Sequence, residues 1–485
     1  MSGERFATPK APLGTAARGL KAAAGGGRLV VVSNRLADPR KPAAGGLAVA
    51  VGEALATSGG LWFGWSGKTA DDGAPSGHLQ VQHAGKVTLA TLDLSRDDLA
   101  AYYDGYSNRV LWPVFHYRLD LAQFDDGHFE GYQRVNRLFA QKLLPLLRAD
   151  DVIWVHDYHL IPLAAELRAL GCEQRIGFFL HIPLPPPLIL AAIPAHEWLI
   201  RSLFAYDLVG LQSQADVAHF TRYVQDEAGA EDLGRDHLRA FSRQVCVRAF
   251  PIGIDVEEFS ALADTAESID TRDTLREQYA KRQLLVGVDR LDYSKGIPQR
   301  LRAFGRLLAN YPENRNSATL IQVATPTREG VGAYDDIRTQ LELLAGRING
   351  DYGELDWMPV RYIHRTLARK RLPGLYRAGR VALVTPLRDG MNLVAKEYVA
   401  AQDPADPGVL VLSRFTGAAE QLREALLVNP YDTGGTAEMI QRALRMSHQE
   451  RVERHRALMQ RVREFDVHWW RKAFLTALAE AQRAG

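Results

Sequence analysis

The sequence predicts an α/β protein with two doubly wound parallel sheets, and three observations lead to this fold class. Short apolar runs alternate with amphipathic stretches rich in Ala, Leu and Arg, as in parallel sheets covered by helices on both faces. The pattern restarts near residue 284, after a charged stretch around 256–280 that predicts little regular structure. The 485 residues, 46% hydrophobic and 24% charged, suffice for two full cores. We therefore expect two Rossmann-like domains that face each other across a cleft.

Buried strands are predicted in both halves of the chain. Each is a run of four or five mainly apolar residues, which indicates a strand covered on both faces. The first half contains 29–32, 152–155, 176–180 and 208–211, and the second half contains 284–288, 320–324, 381–385 and 409–412. These strands place the two domains at residues 28–255 and 256–465.

The two ends of the chain are expected to differ from the domains. Residues 1–27 mix Ala, Gly, Lys and Pro without an apolar core, which predicts a flexible tail rather than a signal peptide. Residues 466–485 predict a C-terminal helix that packs back on the N-terminal domain. Its apolar face consists of Trp469, Trp470, Phe474, Leu475 and Leu478.

Charge and cysteine content exclude several classes of function. The chain has 59 Lys and Arg against 57 Asp and Glu, and it has no polybasic block, which argues against binding to nucleic acid or an anionic membrane. The uncharged segment 176–195 contains five prolines, so it cannot form a membrane-spanning helix. Two cysteines provide no disulfide framework, and a cytoplasmic location is expected.

Polar residues gather where the predicted parallel strands end, which is the edge at which such sheets bind ligands. Arg35 follows the first strand, and Gly45 and Gly46 open the next helix. Asp157 follows the 152–155 strand. His181 ends the 176–180 strand and enters a proline-rich loop, which would direct its imidazole toward the cleft.

The second half carries a similar row of polar residues. Arg290 and Lys295 follow the 284–288 strand, and Arg328 follows the 320–324 strand. An arginine fork and a lysine charge suit a diphosphate leaving group, and backbone N–H groups at 390–392 can add donors at a helix N-terminus. The alternative is a solvated loop in which Arg290 and Lys295 pair with neighbouring aspartates.

A metal site is a weaker interpretation of the first-half residues. His156, Asp157 and His159 could ligate zinc, but no third nitrogen or sulfur ligand lies near them in the sequence. The sequence contains no Asp-x-Asp, Walker A or Gly-x-Gly-x-x-Gly pattern at the expected places. No obligatory cofactor or metal is therefore predicted.

As an ordered set, these residues resemble glycosyltransferase family 20, the trehalose-6-phosphate synthases. The resemblance runs from about Arg28 to the final helix and includes the stretches Arg-Leu-Asp-Tyr-Ser-Lys-Gly and Thr-Pro-Leu-Arg-Asp-Gly-Met-Asn. The matching segments are 30–35, 45–46, 61–67, 154–160, 177–183, 290–296 and 385–398.

The resemblance implies a GT-B fold and a retaining transfer of glucose from a nucleotide-diphosphate glucose to glucose 6-phosphate, which gives α,α-trehalose 6-phosphate. It implies catalytic roles for Arg290, Lys295, His181 and Asp157. The implied donor-binding residues are Gly45, Gly46, Arg290, Lys295, Leu367, Asp389, Gly390, Met391, Asn392, Leu393, Val394 and Glu397. The implied acceptor-binding residues are Arg35, Tyr103, Trp112, Asp157 and Arg328.

Other points stay open at the level of the sequence. The resemblance implies a homo-oligomer, with a tetramer as the family's state, and the donor could carry UDP, ADP or GDP. A related GT-B enzyme with another acceptor is the nearest alternative. A catalytically inactive sugar-phosphate sensor is a third interpretation, although none of the expected ligand positions is lost.

Overall fold

The computed structural model describes residues 27–36, Gly52, Leu55, 59–70, 76–327 and 332–481. The predicted tail lies outside the described residues except for Gly27. Strands β1 to β16, numbered in chain order, are Leu29–Arg35, Gly60–Thr69, Leu79–Ala84, Val87–Leu94, Val152–His156, Arg175–Phe179, Leu208–Leu211, Glu231–Gly234, His237–Ala240, Arg243–Ala249, Gln283–Arg290, Ala318–Thr325, Val360–Ile363, Val381–Val384, Val409–Ser413 and Leu426–Val428.

Helices lie between these strands, and many begin at a side-chain cap. Asp125, Ser213 and Asp466 each accept a hydrogen bond from the backbone N–H three residues later. The α-helices of the first domain are Arg96–Asp98, Trp112–Phe115, Asp126–Leu143, Leu163–Ala169, Pro187–Leu190, His196–Leu203 and Gln214–Ala228. The later ones are Val256–Leu262, Ala266–Gln278, Ile297–Asn310, Gly332–Tyr352, Leu372–Ala378, Leu393–Ala401, Ala418–Gln421, Thr433–Arg445, His448–Glu464 and Val467–Glu480. A π-helix spans Leu99–Leu111.

Two sheets organise the chain, which confirms the predicted fold class. The first has the order β3-β4-β2-β1-β5-β6-β7-β10-β9-β8, and the second has the order β13-β12-β11-β14-β15-β16. All pairs in the second sheet are parallel. The eight predicted strands correspond to β1, β5, β6 and β7 in the first sheet and to β11, β12, β14 and β15 in the second.

The structure differs from the sequence prediction at the edges of the first sheet and in residues 256–280. β3, β8 and β9 pair antiparallel with their neighbours. All three are short. β3 and β8 are largely exposed and β9 is half-buried, so they lack the apolar runs by which the other strands were found. The prediction of little regular structure at 256–280 is wrong, because helices Val256–Leu262 and Ala266–Gln278 lie there. The second buries only Ser268 and Thr271, which explains its weak apolar pattern.

The C-terminal helix Val467–Glu480 packs on the first sheet. The ring centroid of Phe474 lies 4.7 Å from that of Trp154, in a stacked arrangement, and the ring of Trp470 lies 4.8 Å from Trp154. Gly177 in β6 and Gly210 in β7 make room for this helix, since a Cβ at either position would lie within 2.9 Å of Phe474. The helix therefore covers part of one face of the first sheet, although it follows the second domain in the chain.

The two segments that connect the domains run side by side. The Val467 N–H donates to the Ile254 carbonyl over 3.1 Å, and a Cβ on Gly253 would lie 2.2 Å from the Phe465 carbonyl oxygen. The two connecting segments are therefore in direct backbone contact. In the part of the chain that the structure describes, no helix has the length and apolar character needed to cross a membrane.

Candidate active site

The carboxyl ends of both sheets meet at a cleft, and the backbones of the two domains are in close contact at Gly390 and His181. A Cβ on Gly390 would lie 2.3 Å from the His181 carbonyl oxygen and 3.0 Å from the Ile182 carbonyl carbon. Gly390 precedes the helix Leu393–Ala401, and His181 follows β6. Only a residue without a side chain fits here, so the loop after β14 is brought directly against the first domain.

Lys295 and Asp389 form an ion pair on the second-domain side of this approach. The Asp292 side chain accepts from the Ser294 N–H over 2.9 Å, and Gly296 adopts a φ of 62°, so a tight turn carries Lys295 to the end of β11. Lys295 Nζ donates to Asp389 Oδ2 over 2.5 Å. Burial alone would raise the pKa of Asp389, but the Lys295 charge outweighs it and the net effect is a lowered pKa.

This ion pair excludes the solvated-loop alternative for Lys295. The side chain of Lys295 is only 12% exposed, and its partner is Asp389 from the next loop rather than Asp292. Asp389 Oδ2 also accepts from Asn392 Nδ2 over 3.0 Å. A partly buried cation is therefore fixed beside the start of the helix Leu393–Ala401.

That helix begins at the cleft. Asn392 adopts a φ of 76°, and its Oδ1 accepts from the Ala395 N–H over 3.2 Å. Met391 is buried beneath the turn, and Leu393 and Val394 are half-buried at its rim. The first N–H groups of a helix carry partial positive charge, so this turn and Lys295 together suit an anionic ligand.

Arg290 contributes a second cation from the end of β11. Its guanidinium lies 5.4 Å from the ring centroid of Trp112, which belongs to the first domain. His116 forms a hydrogen bond with the backbone of Trp112, with 2.7 Å between its Nδ1 and the Trp112 carbonyl oxygen. Burial lowers the pKa of His116 to about 4, so this histidine is neutral near pH 7.

Arg35 and Tyr103 lie together on the first-domain side. The guanidinium of Arg35 lies 5.6 Å from the ring of Trp65, and the Trp65 ring lies 5.8 Å from that of Tyr103. Tyr103 belongs to the π-helix and stacks on His159 at 5.7 Å. An exposed arginine above a row of aromatic rings suits a phosphorylated sugar.

Asp157 and His181 are joined through the backbone. Asp157 adopts a φ of 77°, and its Oδ1 accepts from the N–H groups of Tyr158 and His181 at 3.1 and 3.2 Å. The His181 ring contacts His156, with 3.1 Å between Nε2 and Nδ1. Burial lowers the pKa of His181 to about 3, so its ring is neutral near pH 7.

The zinc alternative finds no support in this arrangement. His156 is engaged with His181, whereas His159 stacks on Tyr103. Among the described residues, no three or more His, Cys, Asp or Glu side chains converge as metal ligands would. His156 thus acts as a partner of His181, a role that its position in the sequence did not reveal.

Glu397 and Leu367 lie farther from the ion pair. The Tyr376 hydroxyl donates to Glu397 Oε2 over 3.4 Å, and Leu367 packs against the apolar cluster beneath. Burial raises the pKa of Glu397 from 4.5 to about 7, opposed by the charge of Arg369. Gly45, Gly46 and Arg328 lie outside the described residues.

The raised pKa of Glu397 predicts a pH-dependent stability difference. Because the folded-state pKa exceeds the ordinary value, its contribution to stability is present below pH 4.5 and is lost as the pH rises through about 7. We expect wild type to lose stability relative to Glu397→Gln between these values, measured by urea unfolding at several pH values. Glu438→Gln, at an exposed site, serves as the control. If the free energies of unfolding of wild type and Glu397→Gln change in parallel with pH, the pKa of Glu397 is not raised.

A buried polar network behind the site was not predicted. Arg300 donates to Asp289 Oδ2 over 2.5 Å, to Gln322 Oε1 over 2.9 Å and to Thr385 Oγ1 over 3.0 Å. It thereby ties together the ends of β11, β12 and β14. The sequence signal was available, since Arg300 interrupts the apolar face of the helix Ile297–Asn310. Burial raises the pKa of Asp289, and the charge of Arg300 opposes this.

Arg300→Ala is expected to destabilise the protein by about 3–5 kcal/mol, because it leaves the buried Asp289 charge without its partner. The measurement is the free energy of unfolding in urea. Arg302→Ala, at an exposed position on the same helix, is the matched control and should change stability by less than about 0.5 kcal/mol. Equal effects of the two substitutions would show that the network does not hold these strand ends.

The chain matches a known protein family over most of its length. The sequence profile of glycosyltransferase family 20 matches residues 32–480. The chain belongs to glycosyltransferase family 20. Two family members named trehalose-6-phosphate synthase are close in sequence. The one from Sinorhizobium fredii is 50% identical over 94% of this chain and 100% of its own length, and the one from Enterobacter sp. is 50% identical over 93% and 95%.

Solved structures of family 20 glycosyltransferases share the fold. An α,α-trehalose-phosphate synthase (UDP-forming) from Burkholderia xenovorans, in complex with glucose-6-phosphate, matches with a TM-score of 0.89 and 51% identity over 93% of this chain and 100% of its own. A protein from E. coli bound with UDP-2-fluoro glucose matches with a TM-score of 0.89 and 47% identity over 93% and 99%. The GT-B arrangement and glycosyltransferase class of this chain follow from these relations.

Proposed function

We propose that this protein transfers glucose from UDP-glucose to glucose 6-phosphate with retention, giving α,α-trehalose 6-phosphate and UDP. The observation that carries the proposal is the partly buried Lys295–Asp389 pair beside a helix N-terminus, next to Gly390, which contacts the His181 backbone. This arrangement suits a leaving diphosphate. The family relatives named as UDP-forming trehalose-phosphate synthases support the same reaction.

In this proposal the second domain binds the donor. Arg290 and Lys295 neutralise the diphosphate, and the turn from Asp389 through Gly390, Met391, Asn392, Leu393 and Val394 binds glucose and phosphate. Glu397 accepts from the ribose hydroxyls, and the backbone at Leu367 contacts the base. Gly45 and Gly46 approach the diphosphate from the first domain.

The first domain binds the acceptor in this proposal. Arg35 of the first domain and Arg328, which the second domain contributes, bind the phosphate of glucose 6-phosphate, since bidentate guanidinium contacts favour phosphate. Tyr103 and Trp112 contact the sugar ring, and Asp157 orients the loop that bears His181. His181, with its neutral imidazole, hydrogen-bonds the donor glucose.

We propose front-face displacement for the transfer step. The bond between donor C1 and the phosphate oxygen breaks, and its electron pair leaves on UDP. The acceptor C1 hydroxyl forms the new C1–O bond on the same face, and its proton passes to the departing phosphate oxygen. Double displacement would need a carboxylate nucleophile beneath the anomeric carbon. Asp157 and Asp389 fit that role poorly, because each already accepts hydrogen bonds or pairs with a cation.

The finer points of the proposal have separate support. UDP-glucose is favoured over ADP-glucose by the relative bound with a UDP sugar. A homo-oligomer, as a tetramer, is proposed from the resemblance to the family, and the exposed apolar side chains Leu343, Leu355 and Met358 are candidates for a subunit contact. A cytoplasmic location is supported by two free, buried cysteines. We propose no obligatory cofactor and no nucleic-acid or membrane partner.

A product assay tests the proposal. Purified protein is incubated with glucose 6-phosphate and UDP-, ADP- or GDP-glucose, and trehalose 6-phosphate is measured. We expect it with UDP-glucose first. Transfer to another acceptor would retain the glycosyltransferase class and contradict the acceptor assignment. Sugar-phosphate binding without turnover would favour the sensor alternative.

A further inference from the structure

A second contact joins the two domains beside residues 389–394, which we call the donor turn. It uses none of the residues assigned above to substrates. Glu420, on the second-domain helix Ala418–Gln421, reaches the first-domain helix Gln214–Ala228. The Gln214 N–H donates to Glu420 Oε2 over 3.0 Å, and the Ala215 N–H donates to Glu420 Oε1 over 3.2 Å. We call these two hydrogen bonds the Glu420 latch.

The latch completes the N-terminal cap of the helix Gln214–Ala228, which the first domain provides only in part. Ser213 Oγ accepts from the Asp216 N–H over 3.1 Å, which satisfies the third N–H of the helix from within its own domain. The first two N–H groups are satisfied by the Glu420 carboxylate from the other domain. A carboxylate at a helix N-terminus is also favoured by the helix dipole. Glu420 is itself exposed, so separation of the domains would break these two hydrogen bonds and leave the two N–H groups to water.

The latch is rigidly connected to the donor turn. The Gly417 N–H donates to the Asp389 carbonyl over 3.2 Å, and the Ala418 N–H donates to the Met391 carbonyl over 3.0 Å. A Cβ on Gly417 would lie 2.0 Å from the Gly390 carbonyl oxygen, so the two segments are in direct contact. Closing the latch therefore holds the donor turn against the His181 loop.

A second pair of charges lies along the same seam. Arg388 Nη2 lies 3.8 Å from Asp216 Oδ1, in the first turn of the latched helix, and its guanidinium lies 4.6 Å from the Tyr117 ring. A cavity of about 580 Å³ is lined by Asp216, Arg388 and Glu420, among other residues. Solvent thus reaches this seam, and dissolved salt will weaken its charge interactions.

We propose that Glu420 is a positioning residue that holds the two domains in the closed arrangement in which glucose transfer occurs. The proposal rests on the proposed function for its kinetic consequence and on geometry alone for its structural consequence. Glu420 touches neither substrate in this scheme. It acts through Gly417 and the donor turn.

The kinetic test compares Glu420→Ala, Glu420→Gln and Glu438→Ala. Loss of the latch lowers the closed population, which raises apparent dissociation constants in proportion. We expect Glu420→Ala to lower kcat/KM by about tenfold, mainly through higher KM values for both substrates, with kcat within about threefold of wild type. Glu420→Gln keeps an oxygen that accepts one N–H and should recover part of the loss. Glu438 is exposed on the helix Thr433–Arg445, and its substitution should change neither constant.

Small-angle X-ray scattering without substrates gives a readout that does not depend on activity. We expect a larger radius of gyration for Glu420→Ala than for wild type, and a return toward the wild-type value with saturating UDP. If Glu420→Ala has the radius of gyration and the KM values of wild type, the proposal is overturned. A lower melting temperature with unchanged KM overturns it as well, because it indicates a merely structural role. Wild type that makes no trehalose 6-phosphate refutes the proposed function, whereas the scattering comparison still decides the latch.

Discussion

Lys295→Ala is expected to lower kcat by about 100- to 1,000-fold, the cost of removing one preorganised charge from a reacting centre. The side chain is fixed by its 2.5 Å contact with Asp389, so it needs little reorganisation to meet a departing diphosphate. Its removal also leaves the Asp389 carboxylate uncompensated beside the helix N-terminus, where the donor phosphates are expected. We therefore expect the donor KM to rise as well. The measurement is steady-state synthesis of trehalose 6-phosphate at saturating substrates.

Two further variants make this prediction specific. Lys281→Ala removes a lysine from an exposed position and should leave kcat unchanged. Lys295→Arg keeps the charge in a different geometry and should recover only part of the rate. Near-normal turnover of Lys295→Ala with saturating substrates would remove Lys295 from the leaving-group site.

Gly390→Ala is expected to lower kcat/KM by about 100-fold, because the domains can no longer approach fully. The added Cβ would lie 2.3 Å from the His181 carbonyl oxygen and 3.1 Å from the Ile182 Cα. Both are backbone atoms, so relief requires a separation of roughly 1 Å, and a misplacement of that size can cost about 10²-fold in rate. The melting temperature should stay near wild type, because the clash lies between the domains and not within a core.

Gly346→Ala is the matched control for this substitution. Gly346 lies in the helix Gly332–Tyr352, and a Cβ there meets nothing within 4 Å. It should keep full activity and gain up to about 1 kcal/mol of stability from helix propensity. If Gly390→Ala retains activity within a few-fold of wild type, the close approach of Gly390 and His181 is not required for transfer.

The sequence predicted much of the site because parallel sheets bind ligands at one edge. Lys295, Asp389 and His181 could each be found from their positions directly after buried strands. The pairing of Lys295 with Asp389 could not, since 94 residues separate them. His156 was considered as a zinc ligand because of its neighbours in sequence, whereas its contact is His181, which follows the adjacent strand β6.

Other residues were missed for different physical reasons. Arg300 left a readable signal, a charged residue on an apolar helix face, and only its partners required the structure. Glu420 left none, because its partners are the backbone N–H groups of Gln214 and Ala215, which any residue type supplies.

The sequence by itself determined the fold class and the family, because continuous apolar strands and an ordered set of motifs are properties of local composition and spacing. It also determined which polar residues stand at strand ends. Only the tertiary structure decided which of them meet, how the C-terminal helix covers part of the first sheet through Gly177 and Gly210, and how Gly390 brings the two domains together. These features depend on distances between segments far apart in the chain, and such distances arise only when both cores have packed.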